Sequence, residues 1–380
     1  MAKLEFTPNA SPTIGVELEL GIVHGETFQL ESGCSRMIER LPVEVANEVK
    51  HELMQCCVEV ISGVCHTVGD ARGDLSAKLR QVEQAADAEG LKLWWGATHP
   101  FGLWEDQHVT DTPRYHNLMQ LLQELARRMI TFGLHVHVGV DTGDKAVMIC
   151  DRIMQHLPTL LALSASSPYW QTRDTGLHSH RSKLMEGLPT AGLPTLMRNW
   201  SEYVWLVNHM VETGFINTIR EIWWDVRPHH NFGTVEVRVC DMPGNLDHVC
   251  GLTALIQCLV KKLSDEIDEG TYQFDCHPMM VRQNKWRAAR YGMSAKLVHA
   301  RDYRVEPVTQ IACDLVDRLR NVAQDLGCED ELLYVKEITR GDGWADRQRA
   351  VMESTGSPAA VVEQLSSLAR LSDFHLDARR

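Results

Sequence analysis

Six acidic and imidazole side chains fall on matching faces of four short alternating stretches. In GVELEL, Glu17 and Glu19 share one side of an extended chain, with Val16, Leu18 and Leu20 behind them. In CCVEV, Glu59 faces away from Val58 and Val60. In GLHVHVGV, His135 and His137 stand between glycines, backed by Leu134, Val136, Val138 and Val140. In GTVEVRVCD, Thr234, Glu236 and Arg238 share a face, with Val235, Val237 and Val239 on the other. Same-face neighbours on a strand lie roughly 7 Å apart, so Glu17 and Glu19 repel unless water or a cation sits between them. For any one strand, a wetted sheet face is account enough, and Glu236 with Arg238 would be a surface pair worth about 0–1 kcal/mol. A lone His135 or His137 would serve equally well as a hydrogen-bonded structural residue. Joined in one sheet, the four faces gather three or four carboxylates, two imidazoles and an arginine. Such oxygen-rich donors suit Mg²⁺ or Mn²⁺ better than a thiolate-caged zinc. Gly15, Gly21, Gly133, Gly139 and Gly233 flank the charged positions, as where a ligand approaches backbone. Glu52, seven residues before Glu59, reads on pattern alone as a solvated acid at a helix end.

The elements that must position these residues follow from periodicity. Strands are expected at 13–23, 56–62, 91–100 and 133–141, and a hairpin over 221–244 turning at 228–233. Helices are expected at 43–54, 69–90 (capped by Asp74 and stopped by Gly90), 114–129, 144–166 (broken at Pro158) and 199–214. From about 247 the pattern is helical nearly to the end. The stretch 167–194 is irregular, rich in Gly and Pro, and carries Arg173, Arg181 and Lys183; a loop this long inside a domain is usually functional or disordered. Strands and helices do not alternate as βαβ units. The expected class is therefore α+β: a largely antiparallel sheet with helices on one face.

Bulk properties narrow the partners. With 38 basic and 51 acidic residues the net charge is −13, and no basic run offsets it, which argues against nucleic acid. No P-loop, GxGxxG or GxSxG motif is present, so any nucleotide phosphates would need metals and loop arginines. The opening MAKLEFTPNA lacks the apolar core of a secretion signal, and no apolar run reaches membrane-spanning length. Eleven scattered cysteines without a CxxC pair read as reduced thiols in the cytoplasm. Trp94, Trp95, Trp223 and Trp224 fit either the core or an interface between copies in a homo-oligomer.

GVELEL, HELMQCCVEV, GLHVHVGV, SPYWQTRDTGLHSHR, WWDVRPHHNFGTVEVRVCD and NKWRAARYG, in that order, resemble the successive signatures of the type 2 glutamate–cysteine ligases, or carboxylate–amine ligases, from about Gly15 to Gly292. The resemblance implies a glutamine-synthetase-like fold, whose architecture guanido kinases share: a curved antiparallel sheet forming a funnel, with helices behind. It implies a catalytic domain over 1–300, and periodicity adds a helical extension over 301–380 packed on it. It implies ATP and Mg²⁺ (or Mn²⁺) as cofactors, small-molecule amino acid and amine substrates, and an amide formed through an acyl phosphate. Glu17, Glu19, Glu52, Glu59, His135 and Glu236 match metal-holding positions, with Glu236 and Arg238 central to catalysis. Arg173, Arg181, Arg238 and Arg287 are the expected nucleotide-binding arginines, His137 an outer partner, and 167–194 a lid. Leu18 and Leu20 depart from the family, which usually carries a third acid or an aromatic there. A metal-dependent phosphotransferase or hydrolase, and a non-catalytic ATP- or amino-acid-binding protein, are the competing readings.

Overall fold

The alternating stretches do form one sheet. In the computed structural model, which describes residues 4–271, 277–299 and 302–371, the strands of the main sheet are β1 (Ile14–His24), β2 (Val49–His51), β3 (Cys57–Ile61), β4 (Leu91–Trp94) and β5 (Gly133–Gly139). Short pairings follow, β6 (Tyr169–Trp170) with β7 (Arg173–Asp174), and β8 (Ala191–Gly192) parallel to β9 (Trp223–Trp224). The hairpin of β10 (Val226–His229) and β11 (Thr234–Asp241) completes the sheet. Its order is β10-β11-β5-β1-β3-β2, with β4 also on β1, and every neighbouring pair is antiparallel. The α+β expectation holds.

Alternation decides which face is buried. Ile14, Val16, Leu18 and Leu20 are at most 1 % exposed, whereas Glu17 and Glu19 keep partial access to solvent on the other face. The apolar backs pack under the helices Val68–Ala88, Gly143–Ile153 and Leu246–Asp268. Helices Val308–Asp325 and Glu329–Arg340 then lie on Leu246–Asp268, and Pro358–Ala369 reaches β4, so their apolar side chains join the same core. A sheet with one side thus covered is held rigid behind its charged front. The ten described cysteines are free thiols, all buried but Cys313. Trp94 and Trp95 are core residues, while Trp223 and Trp224 are half-buried. Among the described residues no helix is long and apolar enough to cross a membrane.

Three local expectations need correction. The stretch 43–54 is not one helix: Val43–Ala46 makes a single turn, and β2 then pairs with β3, Lys50 opposite Glu59. A short isolated helix is marginal, and the open edge of β3 offers its backbone better partners. Asp74 does not cap Val68–Ala88. Thr67 does, in a reciprocal box with Asp70, while Asp74 accepts from Gly63 N and Lys78 Nζ, and Gly90 at φ +70° ends the run. The helix expected at 114–129 breaks at Gln123 (φ +51°) into Pro113–Leu122 and Glu124–Arg127. Leu121 and Leu125 stay 53 % and 38 % exposed, so no continuous buried stripe holds it as one helix.

Two buried histidines lock loops by their tautomers. His99 Nδ1 accepts from Gly102 N at 2.8 Å while Nε2 donates to Phe28 O at 2.9 Å. His248 Nδ1 accepts from Trp344 Nε1 at 2.8 Å and Nε2 donates to Leu163 O at 3.0 Å. A proton on either Nδ1 would remove an acceptor from a buried donor, and burial pushes both imidazoles down to about 3. Below the usual histidine range the unfolded chain therefore binds protons that the folded protein refuses, so this contribution to stability is lost as pH falls from about 6.5 toward 3. His248→Gln keeps one donor and one acceptor but cannot titrate. Unfolding free energies from urea titrations should fall more steeply for wild type between pH 7 and 5, by about 2 kcal/mol over the two units. Parallel curves would show that His248 charges freely in the fold.

Candidate active site

Strand register brings the front-face residues together. Glu19 pairs with Glu59 across β1 and β3, Glu17 with His135 across β1 and β5, and His137 with Glu236 across β5 and β11. Glu17 reaches both imidazoles: Oε2 lies 3.2 Å from His135 Nδ1 and Oε1 lies 3.2 Å from His137 Nε2. Glu19 Oε2 accepts from Gly133 N at 2.6 Å. Glu52 follows β2 in a loop fixed by Thr110, whose hydroxyl donates to Glu52 O at 2.6 Å. Glu236 accepts from Arg227 Nε at 2.7 Å and Nη2 at 3.3 Å, and from Arg238 Nη1.

Arg238 arrives through an irregularity. Val237 opposes Val136 and Cys240 opposes Leu134, so Arg238 and Val239 together face His135 in a β-bulge. On its other side β11 stays in register with the β10 strand, and the Arg238 N–H donates to Asp225 O at 2.8 Å. The Asp225 carboxylate is held in turn by the buried Lys285 at 2.6 Å, which also reaches Glu186 at 2.8 Å.

Three overlapping groups result: Glu17, Glu59 and His135; Glu17, His137 and Glu236; Glu19, Glu52 and Glu59. In each, one ligand atom per residue lies within 4.8 Å of the others. Sharing of Glu17 and Glu59 links the groups into a row. Five carboxylates here face two guanidinium groups, and the electrostatics divide accordingly. Burial, then Glu52, Glu17 and Glu19, push Glu59 well above the usual carboxylate range. Burial and Glu19 push Glu52 up to about 7 against the pull of Arg114 and Arg238. Burial opposes ionisation of Glu236 too, but Arg227 and Arg238 hold its carboxyl well below the range. Glu17 is likewise held low, burial being outweighed by its bonds to His135 and His137. Burial, then Arg238, keep His135 low and neutral, and its Nε2 is buried without a hydrogen-bond partner, 3.7 Å from Glu19 Oε1. Acids that are costly to ionise side by side, next to an orphaned neutral imidazole nitrogen, are a donor set that fits Mg²⁺ or Mn²⁺.

The expected arginines scatter. Arg238 is in the row. Arg181 is 4 % exposed and donates to the backbone carbonyl of Cys240 at 2.9 Å, a strut at the end of β5 and β11 rather than an open loop cation. Arg173 is exposed on β7. Arg287 donates to Lys296 O at 3.1 Å on a separate hairpin. The expected lid is also pinned over its first half: buried Asp241 accepts from Ser166 N, Ser167 Oγ and Ser179 Oγ, Asp174 pairs with Arg349, and His178 pairs with Asp346. Sequence reasoning missed Arg227 and underrated His137. Counting the hairpin back from a four-residue turn puts Arg227 opposite Glu236, a signal the sequence did contain. A cavity of about 460 Å³ lies away from these acids, between Asp151–Gln155, Leu193–Leu196 and His277–Arg282. It is mainly apolar, and its lining brings no such cluster of acids together.

Residues 13–364 match the sequence pattern of Glutamate-cysteine ligase family 2. A Frankia casuarinae protein provisionally named glutamate–cysteine ligase 2-1 is 40% identical over 368 residues, 96% of each chain. A Gloeobacter violaceus protein provisionally named glutamate–cysteine ligase 2 is 39% identical over 367 residues, 96% of this chain and 98% of its own. Among solved structures, a glutamate–cysteine ligase from Francisella tularensis in complex with AMP superposes with a TM-score of 0.73 at 13% identity, covering 98% of this chain and 91% of that one. A bifunctional glutathione synthetase from Pasteurella multocida gives 0.68 at 15% identity over 94% of this chain and 52% of that one. These two structures share the fold, and the sequence match over nearly the whole length makes the chain a member of glutamate–cysteine ligase family 2.

Proposed function

We propose that the protein is an ATP-dependent carboxylate–amine ligase that joins glutamate to cysteine through an acyl phosphate. The observation that carries this reading is the row of three overlapping acid and imidazole groups with Arg238 beside it. Glu17, Glu19, Glu52, Glu59, His135 and Glu236 would hold two or three Mg²⁺ or Mn²⁺, with His137 completing the Glu236 group. Bound there, divalent cations supply the charge neutralisation that lets a phosphoryl group pass between ATP and a carboxylate. The chain's own groups do the rest. Arg227 and Arg238 keep Glu236 ionised. Only Nη1 of Arg238 is engaged among the described residues, by Glu236 and by His135 at 3.3 Å, so its other donors are free to meet developing phosphate charge. The neutral His135 offers one nitrogen lone pair rather than a competing positive charge. The apolar back of β1 holds Glu17 and Glu19 in fixed rotation, so little reorganisation accompanies the transfer.

ADP release with Mg²⁺, measured across amino acids and amines, tests the reading. Turnover should need a carboxylate and an amine together, with glutamate and cysteine the best pair and an amide product by mass. Full ADP release without an amine would mark a hydrolase or phosphotransferase. ATP binding with no turnover for any pair would mark a binding protein.

A further inference from the structure

The cavity of about 460 Å³ that stands apart from the acids has the make-up of a small-molecule site: a mainly apolar wall with a few polar groups set in it. Met154, Leu193, Leu196 and Val281 supply aliphatic surface, and among the described residues no phenyl, phenol or indole ring lines it. Three groups on the wall are donors. Arg152 and Arg282 line the cavity, and Nη1 of Arg152 is buried without a hydrogen-bond partner. His277 Nδ1 accepts from Met279 N at 3.2 Å, which leaves the proton of the neutral ring on Nε2. The acid on the wall, Asp151, is turned toward the chain, where its carboxylate accepts from Met197 N at 3.3 Å and Arg198 N at 3.0 Å.

Two walls of the cavity run directly into the groups that seat Arg238. Leu193 follows β8, where Gly192 O accepts from Asp225 N at 2.8 Å. Pro278 to Arg282 open the helix Pro278–Tyr291, and three residues on, Lys285 holds the Asp225 carboxylate at 2.6 Å. Asp225 O in turn accepts the Arg238 N–H at 2.8 Å.

We propose that this cavity is a second ligand site, taking a small aliphatic carboxylate, and that its occupant steadies Asp225 and through it Arg238. The aliphatic wall matches an unbranched apolar body. A guanidinium fork matches one carboxylate, while a wall so largely apolar disfavours a multiply charged head. A ligand that prefers the conformer in which the cavity is formed adds to its population, and amides held in that conformer then open less often. The binding and the steadying stand without the proposed function; an effect on turnover rests on it.

Octanoate is the probe, titrated calorimetrically into the full chain, with octanol as the uncharged control. Octanoate should bind at least tenfold more tightly than octanol; equal affinities overturn the carboxylate. Arg152→Met with Arg282→Met should weaken octanoate at least tenfold and leave octanol unchanged, and octanoate held as in wild type overturns the role of the arginines. Thr195→Trp, on an exposed side chain at the wall, should fill the cavity and abolish both. Octanoate bound by Thr195→Trp as by wild type places the ligand elsewhere and overturns the site. Hydrogen exchange reads the link: octanoate should slow the Asp225 and Arg238 amides at least threefold in wild type but not in Thr195→Trp, and unchanged exchange overturns it. ADP release with glutamate and cysteine should then rise at least twofold with octanoate in wild type alone; an unchanged rate sinks the regulatory reading. A protein without turnover for any pair sinks the ligase reading, and calorimetry and exchange still decide the site.

Discussion

Glu59→Gln should melt above wild type in EDTA, gain little from Mg²⁺, and turn over no substrate. Without a cation, Glu59 faces Glu19 across the strand pair, with Glu17 and Glu52 acting on it as well. Among the described residues no arginine hydrogen-bonds its carboxylate, and its ionisation is pushed well above the usual range by burial and then by those three acids. The amide resembles the protonated acid in shape and carries no charge. In the unfolded chain Glu59 ionises freely, so the fold bears the cost of suppressing that ionisation among three other acids, and removing this cost stabilises the metal-free fold by something on the order of 1 kcal/mol. With Mg²⁺ the order of melting should invert, because Glu59 is shared by two of the three groups and its loss removes a donor from both. Binding stabilises the folded state by RT ln(1 + [L]/Kd), so a weakened site shows directly as a smaller Mg²⁺-dependent rise. Thermal melts of both proteins in EDTA and in millimolar Mg²⁺, beside an ADP-release assay, are sufficient. A variant that melts below wild type in EDTA contradicts the repulsion; one that keeps its Mg²⁺ response contradicts the metal role.

That a substitution can be chosen for its sign reflects what the sequence encodes openly. A half-covered antiparallel sheet needs alternation, so the parity of Glu17, Glu19, Glu59, His135 and Glu236 had to be visible along the chain. The helices behind were visible for the same reason, as apolar stripes. Properties that depend on pairing were not. Glu52 lies in the loop after β2, a strand too short to show a period, and comes to Glu59 only because that strand takes the edge of β3. Arg238 faces His135 through a bulge that no alternating pattern announces. Arg181 looked like a loop cation because the partners that pin 167–182, Asp241, Asp346 and Arg349, lie about sixty to 180 positions further on. Arg227 was accessible to a register count and was overlooked because Pro228 was read as part of the turn, whereas it sits within β10.

Glu236→Gln should also abolish turnover, yet with the opposite effect on the fold. From sequence alone the isosteric amide should abolish activity and leave the fold intact. In the structure Glu236 is 1 % exposed and accepts from Arg227 twice and from Arg238 once, with His137 Nε2 3.9 Å away. An amide offers one acceptor oxygen and turns a donor toward a guanidinium. Arg227, largely buried, then loses its counter-charge, while Arg238 keeps only Glu17 and Glu19, and breaking a buried pair from one side costs about 3–5 kcal/mol. The urea midpoint should drop accordingly in EDTA, where Glu59→Gln raises it. Activity should fall at least 100-fold, since a metal-fitting donor and the anchor of Arg238 are lost together. Adding Arg227→Met separates the two effects: it removes the larger uncompensated charge and should recover much of the stability, while turnover stays absent. Recovery of both would mean that Glu236 only balances charge; recovery of neither would mean that Arg227 holds the hairpin by its bond to Ile222 O rather than by its charge.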